Sequence, residues 1–516
     1  MSTLTSLFRY VLLFAVSSEF LAVILALMVF YVYKHRSHAI GSRLRPDLKQ
    51  PKGVFPILGH LPLLASVPSS GLYQFFEKQY NELGPVWTIT LPIFGRIIQI
   101  DSAENVEHVL KTNSYNFEKG GAFKGILQDL LGTEGMNLNE GEKWRFVRSL
   151  TSRVFNTKAY REYTSDIFVT ESRKVINYLD KASSQGTVVD FQALMLYFTL
   201  DCLGSTLFGE TFGCLENIEH GVAFGVSLDE LLETCTKRLI NPLWKIQERM
   251  TSVDKKVKHD RQSLRNHVLE IIEKRRKDGN HAHRKDFLQF FLDSEDNKSQ
   301  PLSDDLLIDN MLTFTTAGRD TTAHALTWMF YLIYRDDSDE SIRATLVREV
   351  DDVLGGSIPT HETLKNLKFA EAWYDLITKV PPLRIFPPVP RNLRYCVKED
   401  ILPDGTKVYA GEWVAWSSYV MGRSESVWGP DAKEFRPSRW INSVKPSLGK
   451  FNSFGLGPRA CPGQHHATIQ VLTVIGMILQ HFDVKLEEPS KVPTYATSLA
   501  FPMVDGLKIR VSRRQL

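Results

Sequence analysis

Near its C-terminus the chain reads Phe451-Asn-Ser-Phe-Gly-Leu-Gly-Pro-Arg-Ala-Cys-Pro-Gly-Gln464. Five residues of this stretch satisfy the pattern F-x-x-G-x-R-x-C-x-G: Phe454, Gly457, Arg459, Cys461 and Gly463. Glycines allow a backbone to approach a flat ring system without Cβ clashes, and backbone N–H groups of such a loop can point at a sulfur. The pattern therefore predicts that Cys461 ligates haem iron as a thiolate. The alternative is a buried, inert cysteine, the usual role of a lone cysteine in a cytosolic protein.

The stretch resembles the haem-binding loop of the cytochrome P-450 superfamily, the haem-thiolate monooxygenases. The resemblance implies a mostly α fold with a small β part, the cytochrome P-450 fold. It implies haem b (iron protoporphyrin IX) as the cofactor, with Cys461 as the axial ligand of the iron and Phe454 and Arg459 in contact with the ring. It also implies O2 and a lipophilic small molecule as substrates, and NADPH as electron source through a NADPH–cytochrome P-450 reductase.

The composition of the 516 residues is that of a globular protein, with 43% hydrophobic and 23% charged residues. A net charge of +3 is too small to indicate a nucleic-acid partner, and no basic patch interleaved with aromatic residues is present in the sequence. The five cysteines show no C-x-x-C spacing and no disulfide framework. The chain is therefore expected in a reducing compartment, where a free thiolate persists.

Residues 10–33 are apolar except for Ser17, Ser18 and Glu19, and a helix of this length crosses a bilayer. The basic residues Lys34 and Arg36 follow at once, which favours a cytoplasmic position for the rest of the chain. We therefore predict a transmembrane anchor with its basic flank at 1–36, a Pro/Gly-rich hinge at 37–62 and a haem-binding domain at 63–516. The resemblance implies a single-pass protein of the endoplasmic reticulum membrane. A cleaved signal peptide is the alternative.

Apolar residues recur at helical spacing over 257–276 and 302–334, and 464–481 is also predicted to be a helix. Short β-branched runs at 85–91 and 96–101 predict two strands of a small sheet, and the chain past Tyr395 predicts short strands and loops, most plainly at 408–419. The end of the chain, 494–511, predicts a β-hairpin that turns near Gly506.

The second motif is Ala317-Gly-Arg-Asp-Thr-Thr322, in the middle of the predicted helix 302–334. A glycine there lowers helix stability by about 1 kcal/mol, and a threonine hydroxyl can bond to a carbonyl one turn earlier and bend the helix. An acid beside an alcohol is a means of moving protons. The motif resembles the oxygen-activation motif of the superfamily, which implies that Asp320 and Thr321 relay protons while Ala317 and Gly318 line the space over the iron. The alternative is a surface helix with a polar kink.

Trp144 and Arg148 lie four residues apart and therefore share one face of a helix. An indole N–H and a guanidinium are both donors and suit a carboxylate, such as a haem propionate. The pair matches the W-x-x-x-R motif of the superfamily. By position, Arg394 and Arg459 match its other propionate contacts.

One motif departs from the superfamily, which has a glutamate three residues before an arginine, E-x-x-R. Here Pro381 stands three residues before Arg384, and the nearest matching acid, Asp375, lies nine residues before it (384 − 375). Arg439, in a block that resembles F-x-P-E-R-W with Ser438 in place of glutamate, matches the arginine that completes the Glu–Arg–Arg network. Loss of one partner from a buried ion pair typically destabilises a protein by about 3–5 kcal/mol. The six extra residues indicate an in-frame insertion, such as one from a mis-spliced or mis-predicted exon, and a bulge that brings Asp375 to Arg384 is the alternative. A real insertion predicts impaired haem incorporation, and an inert relative is one interpretation of the chain.

Several stretches resemble the branch of the superfamily that hydroxylates fatty acids and alkanes at or near the chain end. They are Arg238-Leu-Ile-Asn-Pro-Leu-Trp-Lys-Ile246, Leu402-Pro-Asp-Gly-Thr-Lys-Val408 and Tyr419-Val-Met-Gly-Arg-Ser-Glu-Ser-Val-Trp-Gly-Pro-Asp-Ala432. His465 and His466 depart from it, because an aromatic–Ala pair is commoner at that place. The resemblance implies fatty acid (ω-)hydroxylation. Hydroxylation of sterols or xenobiotics is the alternative.

Overall fold

The computed structural model describes residues 18–156, 158–278, 284–296, 299–367, 381–435 and 449–515. Within these ranges the helices are α1 (Ser18–Lys34), α2 (Leu61–Ala65), α3 (Leu72–Leu83), α4 (Ala103–Glu107), α5 (Gly121–Leu131), α6 (Gly141–Asn156), α7 (Lys158–Gln185), α8 (Phe191–Leu203), α9 (Ala223–Ile240), α10 (Trp244–Met250), α11 (Val253–Lys277), α12 (Phe287–Leu292), α13 (Asp304–Tyr334), α14 (Glu340–Leu354), α15 (His361–Leu364), α16 (Pro381–Ile385), α17 (Ser418–Arg423), α18 (Glu425–Trp428) and α19 (Gln464–His481). The strands are β1 (Val86–Leu91), β2 (Gly95–Ile100), β3 (Phe117–Glu118), β4 (Val189–Asp190), β5 (Asn392–Cys396), β6 (Asp400–Ile401), β7 (Lys407–Val408), β8 (Trp413–Trp416), β9 (Phe482–Leu486) and β10 (Lys508–Arg513). The mostly α architecture with a small β part is confirmed.

The largest sheet has the strand order β1-β2-β8-β5-β3. β1 and β2 form an antiparallel hairpin, and β8 runs parallel to β2 and antiparallel to β5. At the edge, β3 pairs with β5 so that Glu118 lies opposite Tyr395. This long-range pairing brings the segment after β3 next to the start of β5, and both segments border the cavity described below.

Helix α13 is the longest helix of the described chain, with 31 residues, and most of it is buried. It begins where the Ser303 side chain accepts a hydrogen bond from the Leu306 N–H, and Asp304 and Asp305 place negative charge at the positive end of the helix. It packs against α8, α5, α11 and α19. Near its other end, Trp328 Nε1 donates a hydrogen bond to the Phe501 carbonyl at 2.7 Å. The fold thus holds the central motif of α13 in a fixed position.

The predicted helices at 257–276, 302–334 and 464–481 are confirmed by α11, α13 and α19. The predicted short strands and loops at 408–419 are confirmed by β7 and β8, and α17 begins at Ser418, where the Ser417 side chain accepts a hydrogen bond from the Val420 N–H. The predicted hairpin at 494–511 with a turn near Gly506 is wrong, because Tyr495 pairs with Met503 in an antiparallel bridge and the chain turns before Gly506. β10 pairs instead with β9 and β4, since Ile509 and Val511 alternate inward against the apolar residues of β9.

Helix α1 leaves its apolar side chains in contact with solvent, with Leu21 and Leu25 59% and 63% exposed. Among the described helices, the stretch Phe191–Phe208, which consists of α8 and the helical turn that follows it, is long and apolar enough to cross a membrane. However, 72% of this stretch is buried inside the protein. Within α1, Phe20–Lys34 is a shorter apolar helix. The segment 37–62 lies against the largest sheet. The Ala39 N–H donates to Thr90 Oγ1 at 3.0 Å, and Arg45 pairs with Glu412 at 2.8 Å.

Candidate active site

A cavity of about 700 Å³ lies between α13 and the loop that carries Cys461. Both sides contribute residues that the sequence singled out. Helix α13 contributes Ala317, Asp320 and Thr321, and the loop contributes Phe454, Arg459 and Cys461. Most of the remaining wall is apolar and comes from α3, α5, α9 and the loop 497–500. The fold therefore brings the two main sequence motifs to the lining of one cavity.

The Cys461 loop is held by its own backbone. The Cys461 N–H donates to the Phe454 carbonyl at 2.7 Å, and the Gly455 N–H donates to the Asn452 carbonyl at 2.8 Å. Gly457 has a φ of +67°, and a Cβ at this position would lie 2.2 Å from the Leu110 carbonyl oxygen. Gly457 is therefore required by the close approach of another backbone segment, in addition to any approach to a ligand.

Cys461 differs from the other cysteines of the chain because it faces the cavity. It is exposed to the cavity, while Cys202, Cys214, Cys235 and Cys396 are buried. Protein atoms still enclose the thiol, and this burial raises its pKa. The N–H groups of Gly463 and Gln464 and the charge of Arg148 act in the opposite direction and favour the thiolate. Backbone donors and a nearby cation therefore favour the thiolate form of Cys461, the form in which a cysteine ligates a metal.

Asp320 and Thr321 lie side by side on the cavity wall. Thr321 Oγ1 donates to the Ala317 carbonyl at 2.6 Å, the hydrogen bond to the preceding turn that the sequence predicted. Burial raises the pKa of the Asp320 carboxyl, and Arg319, whose Nη1 lies 3.4 Å from Asp320 Oδ1, opposes this shift. Arg319 also pairs with Asp229 of α9, whose side chain is 59% exposed. A chain of charged groups therefore leads from solvent to the acid on the cavity wall.

The prediction that Gly318 lines the cavity does not hold, because Gly318 is not among the residues that border it. Its bare face lies against α8, where an added Cβ would come within 2.9 Å of the Leu203 side chain. The glycine thus permits close packing of α13 on α8. Ala317, one residue earlier, is the small residue of the motif that faces the cavity.

Trp144 and Arg148 of α6 stand behind the cavity wall and support residues that form it. The Arg459 guanidinium lies over the Trp144 ring, 4.5 Å from its centroid, donates to the Asn139 carbonyl at 2.9 Å and pairs with Glu140. Arg148 places its charge near Cys461. Trp144 and Arg148, on one face of α6, therefore help to position the Cys461 loop. Of Trp144, Arg148 and Arg459, Arg459 borders the cavity and the other two do not.

Arg394 and three other cations border the cavity: Arg459, Lys119 and Arg391. Burial lowers the pKa of Arg394 to about 10 and lowers the pKa of Lys119 well below its usual value. Lys119 and Arg391 were not predicted from the sequence. Neither belongs to a recognisable motif, and only the pairing of β3 with β5 brings Lys119 beside Arg394.

The residues of the cavity fit haem b. A thiol that is open to the cavity suits the iron, and the cations Arg394, Arg459 and Lys119 suit the two propionates of the macrocycle. Apolar side chains make up most of the remaining wall and suit a flat hydrophobic ring.

Arg384, the arginine of the departing motif, is buried and donates hydrogen bonds to the carbonyl oxygens of Gly422, Ala432 and Glu434, the last at 2.8 Å. Its guanidinium lies 5.4 Å from the centroid of the Trp428 ring. Asp375, Ser438 and Arg439 lie outside the described residues. Arg384 therefore joins α16 to the α17–α18 region through backbone carbonyls.

A family model described as cytochrome P-450 matches residues 49–506 of the chain. Cytochrome P-450 monooxygenase cyp1 of Mycosarcoma maydis is 31% identical over 94% of this chain and 78% of its own length. Cytochrome P-450 94B1 of Arabidopsis thaliana is 32% identical over 84% of this chain and 86% of its own length. Cytochrome P-450 86B1 of the same plant is 28% identical over 96% of this chain and 90% of its own length.

The fold, the cavity and these similarities define a haem-thiolate oxygenase, and the chain belongs to the cytochrome P-450 family. It is a monooxygenase with haem b as its cofactor and with NADPH as electron source through a reductase.

Proposed function

We propose that this monooxygenase hydroxylates a fatty acid at or near the end of its chain, with Cys461 as the axial ligand of the haem iron. The observation that carries the proposal is the cavity itself, where an acid–alcohol pair on α13 faces a thiol across walls formed by Leu130, Leu232, Leu239, Ile240 and Leu499. A long alkyl chain matches such walls. The stretches that resemble the fatty-acid and alkane hydroxylase branch support the choice of substrate.

The residues that would hold haem are Cys461 at the iron and Arg394, Arg459 and Lys119 at the propionates, with Phe454 and Ala317 on the cavity walls. When bound, haem supplies the iron at which dioxygen is activated. Trp144 orients the Arg459 guanidinium by stacking, and Arg148 together with the Gly463 N–H stabilises the Cys461 thiolate.

Asp320 and Thr321 are the groups that move protons in this proposal. Asp320 Oδ1 is buried and accepts no hydrogen bond, and its raised pKa favours the protonated carboxyl. Thr321 Oγ1 donates to the Ala317 carbonyl, so its lone pairs are free to accept a proton donor from the cavity side. The exposed Asp229 and the buried Arg319 connect Asp320 to solvent.

For the whole chain we propose the arrangement that the sequence predicts, with an anchor at 1–36, a linking segment at 37–62 and the haem domain at 63–516. The solvent-exposed apolar face of α1, followed by Lys34 and Arg36, supports a single-pass anchor in the endoplasmic reticulum membrane with the catalytic domain on the cytoplasmic side.

The first test is the difference spectrum of the reduced, CO-bound protein, in the wild type and in Cys461→Ser. A thiolate-type Soret band that the variant lacks is expected. Incubation of the wild type with dodecanoic acid, NADPH and a reductase is then expected to yield a hydroxylated acid, and a sterol panel is expected to yield no product. Products from the sterols alone would refute the choice of substrate.

A catalytically impaired relative is the second candidate, because Asp375 stands nine residues before Arg384 (384 − 375) instead of three. The same spectrum separates the two functions. A chain that purifies without a Soret band, or with the band of a neutral thiol, supports the impaired relative.

A further inference from the structure

Arg391 is a cavity residue that neither the sequence motifs nor the haem-binding residues explain. It directly precedes β5 and borders the cavity. Its guanidinium carbon lies 4.0 Å from the centroid of the Phe76 ring, and its charge lowers the pKa of the Tyr73 phenol, although burial raises that pKa more strongly. Phe76 and Tyr73 lie on α3 and border the same cavity. The guanidinium therefore stands at the part of the cavity wall that α3 forms.

This guanidinium has no hydrogen-bond partner or ion pair among the described residues, and its Nε is fully buried. Two buried arginines of the described chain, in contrast, are paired with carboxylates. Arg238 donates to Glu248 at 2.8 Å, and Arg275 donates to Asp286 at 3.0 Å. Burial lowers the pKa of Arg391 to about 10, so it stays charged at neutral pH. Burial of this cation destabilises the fold, and the nearby Asp101, which forms no ion pair with it, offsets part of that cost. A carboxylate in direct contact would supply the missing counter-charge.

We propose that Arg391 binds the carboxylate of the lipophilic substrate. A guanidinium accepts a carboxylate in a bidentate pair, and the apolar side chains of Leu64, Val67 and Leu499 border the same cavity and suit the alkyl chain. The inference rests on the proposed function and adds to it the residue that holds the carboxylate of the fatty acid, which lies outside the proposed haem contacts.

The test is calorimetric titration of the full-length protein with dodecanoic acid and with 1-dodecanol, which share an alkyl chain and differ in head-group charge. The wild type is expected to bind the acid roughly 10- to 100-fold more tightly than the alcohol, as a charge-assisted pair implies. Arg391→Gln is expected to remove this preference while leaving the affinity for the alcohol unchanged, and Arg391→Lys is expected to keep part of it. Arg173→Gln, which removes an exposed arginine of α7, is the matched control and is expected to keep all of it.

Two further measurements distinguish this role from others. Haem content and the thermal unfolding midpoint of Arg391→Gln are expected to equal or exceed those of the wild type, because the substitution removes an unpaired buried charge. A loss of haem in Arg391→Gln would assign Arg391 to a haem propionate and would overturn the inference. A fall of several degrees in the thermal unfolding midpoint would assign Arg391 a structural role and would also overturn the inference. An unchanged preference for the acid in Arg391→Gln would also overturn it. A different outcome is that Arg391→Gln loses the preference for the acid while the wild type forms no hydroxylated product. This outcome would support the role of Arg391 in binding and contradict the hydroxylase proposal.

Discussion

At the scale of single residues, the ionisation of Cys461 depends on opposing influences. Burial raises the pKa of the thiol, and two backbone N–H groups and the Arg148 charge lower it. The four other cysteines are buried, so a small alkylating reagent reaches Cys461 first. The haem-free protein therefore offers a direct measurement of the site.

We predict that Arg148→Gln raises the pKa of Cys461, because the substitution removes a cation that favours the thiolate. The pH dependence of the iodoacetamide reaction rate of the full-length, haem-free protein measures this pKa. Arg148→Lys keeps the charge and is expected to leave the profile close to that of the wild type. Equal profiles for all three proteins would show that Arg148 has no electrostatic influence on the sulfur.

Asp101 provides a second prediction at this scale. Burial raises its pKa to about 7, although the Ser417 N–H donates to its Oδ1 at 2.7 Å and Arg391 also opposes the shift. An unfolded aspartate ionises near pH 4, so the folded state keeps a proton that the unfolded state releases between about pH 4 and pH 7. This group therefore lowers the free energy of unfolding as the pH rises through that window.

Asp101→Asn retains the acceptor for the Ser417 N–H and does not titrate. We expect it to raise the free energy of unfolding by a few kcal/mol above about pH 7 and to have little effect near pH 4. Urea unfolding of both proteins from pH 4 to pH 8 measures the difference. A difference that does not change with pH would contradict the raised pKa.

At the scale of elements, short helices position the site through close backbone contacts. Gly422 of α17 lies directly on α16, and its carbonyl accepts a hydrogen bond from Arg384. A Cβ on Gly422 would lie 1.9 Å from the Arg384 carbonyl oxygen, which is a backbone atom that cannot rotate away. Gly125, inside α5, has no atom within 4 Å of its Cβ position.

We therefore predict opposite effects of the same substitution at two sites. Gly422→Ala is expected to lower the free energy of unfolding by about 3 kcal/mol, the upper end of the range for overpacking. Gly125→Ala is expected to raise it by about 0.5–1 kcal/mol, because alanine favours a helix interior. Chemical denaturation measures both. Equal stability of the two variants would show that α16 and α17 are not in contact as described.

At the scale of the whole molecule, Asp375 stands nine residues before Arg384 (384 − 375), where the family motif has an acid three residues before the arginine. Removal of residues 377–382 leaves an acid three positions before Arg384, the spacing of the family motif. We expect this deletion to increase the haem content per chain and the thermal unfolding midpoint, because it places the Asp375 carboxyl three positions before the buried Arg384, the spacing at which two side chains meet on one helix face.

The control for this deletion is Asp375→Ala in the shortened chain, which is expected to abolish both gains. Absorbance at the Soret band relative to protein concentration measures haem content. If the shortened chain binds no more haem than the full chain, the extra residues do not impair incorporation.

The sequence by itself determined the class of protein, the long helix and the two motifs that face each other across the cavity. These features could be predicted because the residues of each motif are contiguous, so local spacing alone specifies Cys461 with its glycines and Asp320 beside Thr321. Tertiary structure decided which of the expected residues border the cavity. Gly318 lies against α8, and Trp144 and Arg148 stand behind Arg459 and Cys461. β10 pairs with β9, while the residues before it form a short antiparallel contact of their own between Tyr495 and Met503.

Tertiary structure alone also revealed Lys119 and Arg391, because each reaches the cavity through strand pairing or packing between segments that are far apart in the chain. A basic residue has no local signal that distinguishes a buried cation from a solvated one. Its environment depends on which distant side chains enclose it, and the physical cost of enclosing an unpaired charge is what makes Arg391 informative.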